Sequence, residues 1–203
     1  TDYLQKYFED RGYEVYRDQA GKAIGGDNSG NLLIHIPGTM PGEAICFNAH
    51  QDTVEPGRGI EPVFENGVLR SKGDTILAAD DKSGIAMMME ALDVLTETGT
   101  PHRDMYYLFT ICEENGMHGA KNFDYSKLPA KNICALDGAG KLGGLTKSGA
   151  GKDALEITFH GKMAHGGIEP EKGINAIAVA ASAISRVKFG RIAPDTTSNI
   201  GRI

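Results

Sequence analysis

The chain has 203 residues, of which 40% are hydrophobic and 24% charged, a composition typical of one or two globular domains. Its net charge of −6 and the lack of a basic stripe exclude an electrostatic nucleic-acid binder. No apolar run reaches the roughly 18 residues of a membrane span, and no signal-peptide pattern opens the sequence. Neither a nucleic-acid partner nor a membrane partner is therefore expected.

The three cysteines indicate the cellular compartment. Cys46, Cys112 and Cys134 all fall in apolar stretches typical of strands. An odd number of thiols in buried strands favours reduced core cysteines over a disulfide framework, and no C-x₂-C spacing indicates a cysteine-bound zinc. The pattern predicts a cytoplasmic protein.

The first elements along the chain are a helix and two strands. Aromatic and apolar residues in 1–12 recur at helical spacing, which predicts a helix that ends before Gly12 and lacks its front half. Residues 13–18 and 31–38 predict strands, separated by a Gly-rich turn over 21–31.

The next strand ends in the first candidate site cluster. Apolar residues alternate from Ile45 to Ala49, and the strand then presents His50 and Asp52. Residues two apart on an extended chain face the same way, so Asp52 can orient one nitrogen of His50 and leave the other for a metal. Taken alone, the pair is explained more simply by a strand that ends in solvent.

A hairpin and a helix with two aspartates at its start follow. Glu65–Gly67 predict a tight turn between two short strands. Asp80 and Asp81 then begin a helix that runs to Thr98, where carboxylates are favoured by free N–H groups. A helix cap accounts for one aspartate but does not require two.

Two further strands also end in carboxylates. Glu113 and Glu114 follow the apolar run 105–112, and Asp137 follows the strand 133–136. One glutamate can bind a metal while its neighbour, which points to the other side, serves as a general base. His118 is an alternative ligand by position, but it is expected to start a short surface helix.

Together, the clusters predict a metal site in an α/β fold. Strand–helix–strand order places strand ends at one edge of a sheet, where a crevice receives their side chains. A set of imidazole and carboxylate ligands without thiolates suits Zn²⁺, Co²⁺ or Mn²⁺ in a catalytic site.

The ordered motifs carry a family resemblance over almost the whole chain. The sequence resembles the M20 family of dinuclear metallopeptidases, in its peptidase T-like, or tripeptide aminopeptidase-like, branch. The matching motifs are AHQDTV (49–54), GDTILAADDKSG (73–84), ICEENG (111–116), ALDG (135–138) and GKMAHGGIEPEKGINAI (161–177).

The resemblance implies two domains, both incomplete. Residues 1–148 would form a zinc-peptidase-like catalytic domain, a mixed sheet flanked by helices. Residues 149–203 would form the first part of a smaller α+β lid or dimerisation domain. There, 153–161 predict a strand, 174–189 a long helix and 195–203 an incipient strand.

The resemblance also implies two divalent metal ions, zinc in the first place, with cobalt or manganese as alternatives. His50, Asp80 and Asp137 would bind one ion. Asp80 would bridge to a second ion, held in part by Glu114. The last histidine ligand of that ion would lie beyond Ile203, because the sequence stops partway through the expected lid.

Three residues take catalytic roles by the same resemblance. Asp52 would orient His50, Glu113 would be the general base, and His165 would stabilise the oxyanion, commonly across a homodimer interface formed by the lid. Without the resemblance, His165 is more simply a turn residue beside two glycines.

The expected function is dinuclear metal-dependent hydrolysis of amide bonds in small peptides, of the aminopeptidase or tripeptidase kind. An M20-type N-acyl amino acid deacylase or a carboxypeptidase remains an alternative. So does an inactive metal-binding or dimerising fragment, since the sequence contains only part of the expected domains.

Overall fold

The chain divides into two compact units, Thr1–Lys141 and Leu142–Ile203. The structure is a computed structural model and describes residues 1–26, 28–149 and 151–201. Among the helices of these ranges, none is long and apolar enough to cross a bilayer. The predicted domain boundary after residue 148 stays a prediction.

The first unit is a mixed sheet with helices. Its elements in chain order are α1 (Asp2–Glu9), β1 (Glu14–Arg17), α2 (Ala20–Ala23), β2 (Leu32–Ile36), β3 (Ile45–His50), β4 (Pro62–Glu65), β5 (Val68–Ser71), α3 (Ala79–Thr98), β6 (Met105–Thr110), α4 (His118–Asn122) and β7 (Asn132–Ala135). Five strands form one sheet in the order β1-β2-β6-β3-β7, and β4 and β5 form the predicted hairpin. Strands β6, β3 and β7 run parallel, whereas β1 and β2 pair antiparallel. The predicted mixed α/β sheet is confirmed.

The central strands are buried on both faces because their apolar side chains alternate between two cores. On one face, Phe8 of α1 and Met88 of α3 pack with alternate residues of β2, β3 and β6. On the other face, Leu33, Cys46 and Leu108 pack against the segment that follows α4. This alternation determines the face of the sheet to which each side chain at the ends of β3 and β6 points.

Some predicted boundaries are wrong. Strand β6 ends at Thr110 rather than at Cys112, because Cys112 adopts a positive φ of 52°, which breaks the extended strand. The predicted Gly-rich turn over 21–31 contains the end of α2 (Ala20–Ala23), and its residue Asp27 lies outside the described residues.

The second unit differs most from its sequence prediction. Its elements are α5 (Ala176–Ile184) and an antiparallel pair, β8 (Gly190–Ala193) and β9 (Thr196–Ser198). Helix α5 is shorter than the predicted 174–189. The Asn175 side chain caps its start by accepting from the Ala178 N–H at 3.1 Å. Strand β9 lies within the predicted 195–203, whose last two residues are outside the described part.

The predicted strand 153–161 is not formed among the described residues. A strand is stable only when a partner satisfies its backbone groups, and only a single bridge, Lys162 to Ile174, occurs beside it. Its alternating apolar side chains remain uncovered in this unit, with Leu155 at 87% and Ile157 at 69% exposure.

Replacing Phe8 tests the helix-on-sheet core. Phe8 is fully buried and contacts the rings of Tyr107 and Phe109. We expect Phe8→Ala to lower the free energy of unfolding by about 3–5 kcal/mol because it leaves a cavity. Tyr3→Ala on the same helix is the control, because Tyr3 is 72% exposed, and it should change stability by about 0.5 kcal/mol or less. Urea unfolding followed by circular dichroism measures both, and equal losses would contradict this packing.

Candidate metal centre

The parallel strands bring the predicted clusters to one edge of the sheet. His50 is the last residue of β3, Glu113 and Glu114 follow β6, and Asp137 follows β7. Asp80 reaches the same edge from the first turn of α3, which packs on β3. Four separate chain segments therefore contribute to one group of imidazole and carboxylate side chains.

The His50 imidazole lies at the middle of this group. It is only 2% exposed, and its Nε2 lies 2.9 Å from Asp80 Oδ1. Its Nδ1 lies 3.1 Å from the backbone carbonyl of Asp52 and 3.5 Å from the Asp52 carboxylate. Because a carbonyl only accepts, it favours the tautomer with the proton on Nδ1, which leaves the Nε2 lone pair for a cation.

The Asp52 carboxylate reaches a second cluster as well. Its Oδ1 accepts the backbone N–H of Glu113 at 3.0 Å, and its Oδ2 accepts that of Glu114 at 3.2 Å. Sequence analysis assigned Asp52 only the orientation of His50. In the structure its backbone carbonyl is the nearer partner of His50, and its carboxylate positions the two glutamates.

The two aspartates at the start of α3 have different surroundings. Asp81 is 2% exposed, and its carboxylate accepts the N–H of Gly84 at 3.1 Å and that of His50 at 3.3 Å. Burial raises the pKa of Asp81, and the nearby charge of Asp137 adds to the rise. Asp80, 68% exposed, instead faces the His50 ring, across a cis Asp80–Asp81 peptide bond. The cap and the candidate ligand are thus separate residues.

The ligand atoms fall into two overlapping groups. One consists of His50, Asp80 and Glu114, and the other of His50, Glu113 and Asp137, and within each group the atoms lie within 4.8 Å of one another. All the predicted ligands therefore meet at this edge, together with Glu113, for which sequence analysis predicted the role of base. Which of these residues bind which ion, and that Glu113 is the base, stay predictions.

The electrostatics of the cluster favour a bound cation. Burial raises the pKa of Glu113, and the carboxylates of Asp137, Glu114 and Asp52 raise it further against the lowering effect of His50. Burial and Asp80 likewise raise the pKa of Asp137. The part of these rises that comes from neighbouring carboxylates reflects their mutual repulsion when ionised. A divalent ion would relieve that repulsion, and the oxygen and nitrogen donors suit zinc, cobalt or manganese.

The remaining histidines lie outside these two groups. His118 begins the short helix α4, as predicted. His165 lies in the second unit, where it is exposed and its Nδ1 accepts the N–H of Gly167 at 3.2 Å. Its predicted role toward the oxyanion stays a prediction.

One side chain that the sequence pattern did not indicate is Gln51, the residue directly after β3. The amide of Gln51 donates to the Phe109 carbonyl at 2.9 Å and to the Gly30 carbonyl at 3.2 Å, which ties the end of β3 to its neighbours. Its position between His50 and Asp52 was the only available signal, because the two acceptors are remote in sequence.

Two protein-family models match parts of this chain. Residues 31–160 match the protein-family model described as Peptidase family M28, which covers more than half of the chain. This chain belongs to peptidase family M28. Residues 150–203 match a second model, the Peptidase dimerisation domain of M20 proteins. The M28 match includes all the clusters at the sheet edge, and the M20 match includes His165.

Relatives and solved structures confirm the predicted resemblance to M20, peptidase T-like proteins. The chain is 41% identical to aminopeptidase PepT from Bacillus cereus ATCC 10987, with a TM-score of 0.79 over 99% of this chain and 54% of that one. It is 32% identical to a tripeptidase from Staphylococcus aureus subsp. aureus Mu50, with a TM-score of 0.84 over 100% and 54%. It is also 43% identical to the uncharacterized protein YqjE of Bacillus subtilis (strain 168) over 98% of this chain.

The chain spans about half the length of the curated relatives it matches, 53% of YqjE and 45% of a peptidase T from Escherichia coli.

Gly84→Ala tests the cap that holds the start of α3. A Cβ at Gly84 would overlap with the Asp81 carboxylate, which also accepts the His50 N–H. We expect a loss of about 1–3 kcal/mol in the free energy of unfolding, from overpacking beside a buried carboxylate. Ala86→Gly, at an exposed position of the same helix, should cost only about 1 kcal/mol. Chemical unfolding measures both free energies. An unchanged free energy of unfolding in Gly84→Ala would contradict the close approach of Gly84 to the Asp81 carboxylate.

The raised pKa of Glu113 predicts a pH dependence in metal-free protein. A carboxyl whose pKa is raised in the fold stabilises it below the pKa of the unfolded chain, about 4.3, and this contribution is lost as pH rises through the folded pKa. We therefore expect the unfolding free energy of Glu113→Gln to fall less than that of the wild type between acid and neutral pH. Urea titrations in a chelator measure this difference. Glu90→Gln, at an exposed glutamate of α3, should retain the wild-type dependence of unfolding free energy on pH. The same dependence in all three proteins would contradict a raised pKa of Glu113.

Proposed function

We propose that the protein containing this chain hydrolyses amide bonds of small peptides, as an aminopeptidase or tripeptidase that depends on two divalent metal ions. The observation that carries the proposal is the group of four carboxylates around the buried His50 at the carboxyl edge of the sheet. The aminopeptidase and tripeptidase identities of two similar solved structures support the choice of substrate.

His50, Asp80, Glu114 and Asp137 would hold the metal ions, zinc in the first place, with cobalt or manganese as alternatives. When bound, such ions polarise the scissile carbonyl and lower the pKa of a water molecule toward neutrality. The tautomer favoured at the Asp52 carbonyl leaves His50 Nε2 as a donor to a cation, and the high exposure of Asp80 keeps its carboxylate accessible.

Glu113 would act as the general base. Its carboxylate takes a proton from the attacking water and passes it to the nitrogen of the leaving amine. A carboxylate is a better base when its pKa is raised, and burial and the surrounding carboxylates raise the pKa of Glu113. Asp52 supports this role because it holds the backbone of both Glu113 and Glu114.

The second unit would contribute through a homodimer. The dimerisation-domain match over 150–203 supports a dimer formed by this segment, and His165, which it includes, would stabilise the oxyanion. A cytoplasmic location is part of the same proposal, supported by the odd number of cysteines.

A substrate panel tests the proposed activity. We expect the complete protein, loaded with zinc, to release the N-terminal residue of tripeptides faster than it hydrolyses N-acyl amino acids or removes C-terminal residues. Amino-group release measures all three rates. A preference for N-acyl amino acids would favour a deacylase, and no turnover with bound metal would favour the inactive alternative.

Adjacent glutamates provide matched variants for the roles at the centre. We expect Glu113→Gln to lower kcat by about 10²- to 10⁴-fold, because the base is lost, and to retain bound metal. Glu114→Gln and His50→Ala should instead lower the metal content, because they remove ligands. Elemental analysis beside the peptide assay separates these outcomes. Near-wild-type turnover by Glu113→Gln would show that another group is the base.

A further inference from the structure

Glu113 and Glu114 lie in the loop 111–119. Its two ends, Ile111 and Gly119, meet at a neck that is closed by Asn31, a residue remote in sequence. Across the neck, the N–H of Gly119 donates to the carbonyl of Ile111 at 2.9 Å. The side chain of Asn31 spans the same two residues. Its Oδ1 accepts the Ile111 N–H at 3.1 Å, and its Nδ2 donates to the Gly119 carbonyl at 2.9 Å. A single amide thus joins both ends of the loop.

Asp18 fixes the orientation of that amide. Its Oδ2 accepts from Asn31 Nδ2 at 2.6 Å, and its Oδ1 accepts the backbone N–H groups of Asn31 at 2.8 Å and Ala20 at 2.9 Å. Asn31 is fully buried and Asp18 is 8% exposed. Because Nδ2 faces two acceptors and Oδ1 faces a donor, a flipped amide would leave buried polar groups unsatisfied.

The close approach at the neck leaves no space for a side chain at position 119. A Cβ at Gly119 would overlap with the Ile111 carbonyl and crowd Asn31 Oδ1. Glycine at this position therefore lets the two backbone segments and the amide meet. Between the neck and the tip, the loop is also held by the Asp52 carboxylate, which accepts the N–H groups of Glu113 and Glu114.

We propose that Asn31, oriented by Asp18, is a positioning residue that sets the reach of Glu113 and Glu114 into the metal centre. Asn31 acts only through the backbone of the loop, since its side chain is committed to Asp18, Ile111 and Gly119. A shift at the neck moves both carboxylates together, so metal affinity and proton transfer change with it. The inference rests on the proposed function of these two glutamates.

Two isosteric variants separate positioning from simple stability. Asn31→Asp replaces the donor Nδ2 with an oxygen, which then faces both the Asp18 carboxylate and the Gly119 carbonyl. The double variant Asp18→Asn with Asn31→Asp restores a donor–acceptor pair between positions 18 and 31 and keeps the total charge of that pair. It still leaves the Gly119 carbonyl opposite an oxygen. The double variant therefore repairs the buried pair but not the neck.

We expect the double variant to recover much of the unfolding midpoint that Asn31→Asp loses. Its amides in 111–119 should still exchange with deuterium faster than in the wild type. Its affinity for Zn²⁺, measured by calorimetry on the complete protein, and its kcat on a tripeptide should remain about 10- to 100-fold lower, as for supporting partners of metal ligands. KM should change less than kcat. Asn132→Asp, at an exposed asparagine at the start of β7, is the matched control and should change none of these values.

Exchange and zinc affinity keep the inference testable without turnover. The wild type could hydrolyse no peptide while the double variant shows faster exchange in 111–119 and weaker zinc binding. In that case the proposed function fails and the positioning role stands. If the wild type is active and the double variant regains exchange, zinc affinity and kcat together with its stability, Asn31 has a structural role only and the inference is overturned.

Discussion

The burial of the His50 imidazole between hydrogen-bonding partners is the constraint on which the rest of the site depends. Its Nδ1 faces the Asp52 carbonyl, its Nε2 faces Asp80, and its backbone N–H donates to Asp81. A single residue at the end of β3 therefore connects the strand, the start of α3 and the following turn. Because carboxylates surround this ring closely enough to raise one another's pKa, the arrangement favours a cation over an empty centre.

Asp52 and Asp81 show how carboxylates can support such a centre without being among its candidate ligands. Asp81 is buried and caps α3 through Gly84, so the exposed Asp80 is left to face the ring. Asp52 accepts two backbone N–H groups from the loop of Glu113 and Glu114. These acceptors fix backbone rather than side chains, which limits how far the candidate ligands can move.

Much of the fold and of the centre could be predicted from local patterns. Apolar runs located β3, β6 and β7, and the residues that follow them include His50, Glu113 and Asp137. The paired aspartates at the start of α3 located Asp80. The sequence could not indicate the hydrogen bonds of Asn31, because its partners in the neck of the loop are some 80 residues away. Local pattern also predicted a strand at 153–161, but strand formation requires a pairing partner, which sequence periodicity does not supply.

The alternation of side chains along β3 also restricts its length. Residues of this strand pair with β6 on one side and with β7 on the other, so its register is fixed by two neighbours. An insertion of one residue between Ile45 and His50 would turn the imidazole to the opposite face of the sheet. Insertions and deletions within this strand should therefore be tolerated far less than those in the β4–β5 hairpin, whose residues are not among the candidate ligands.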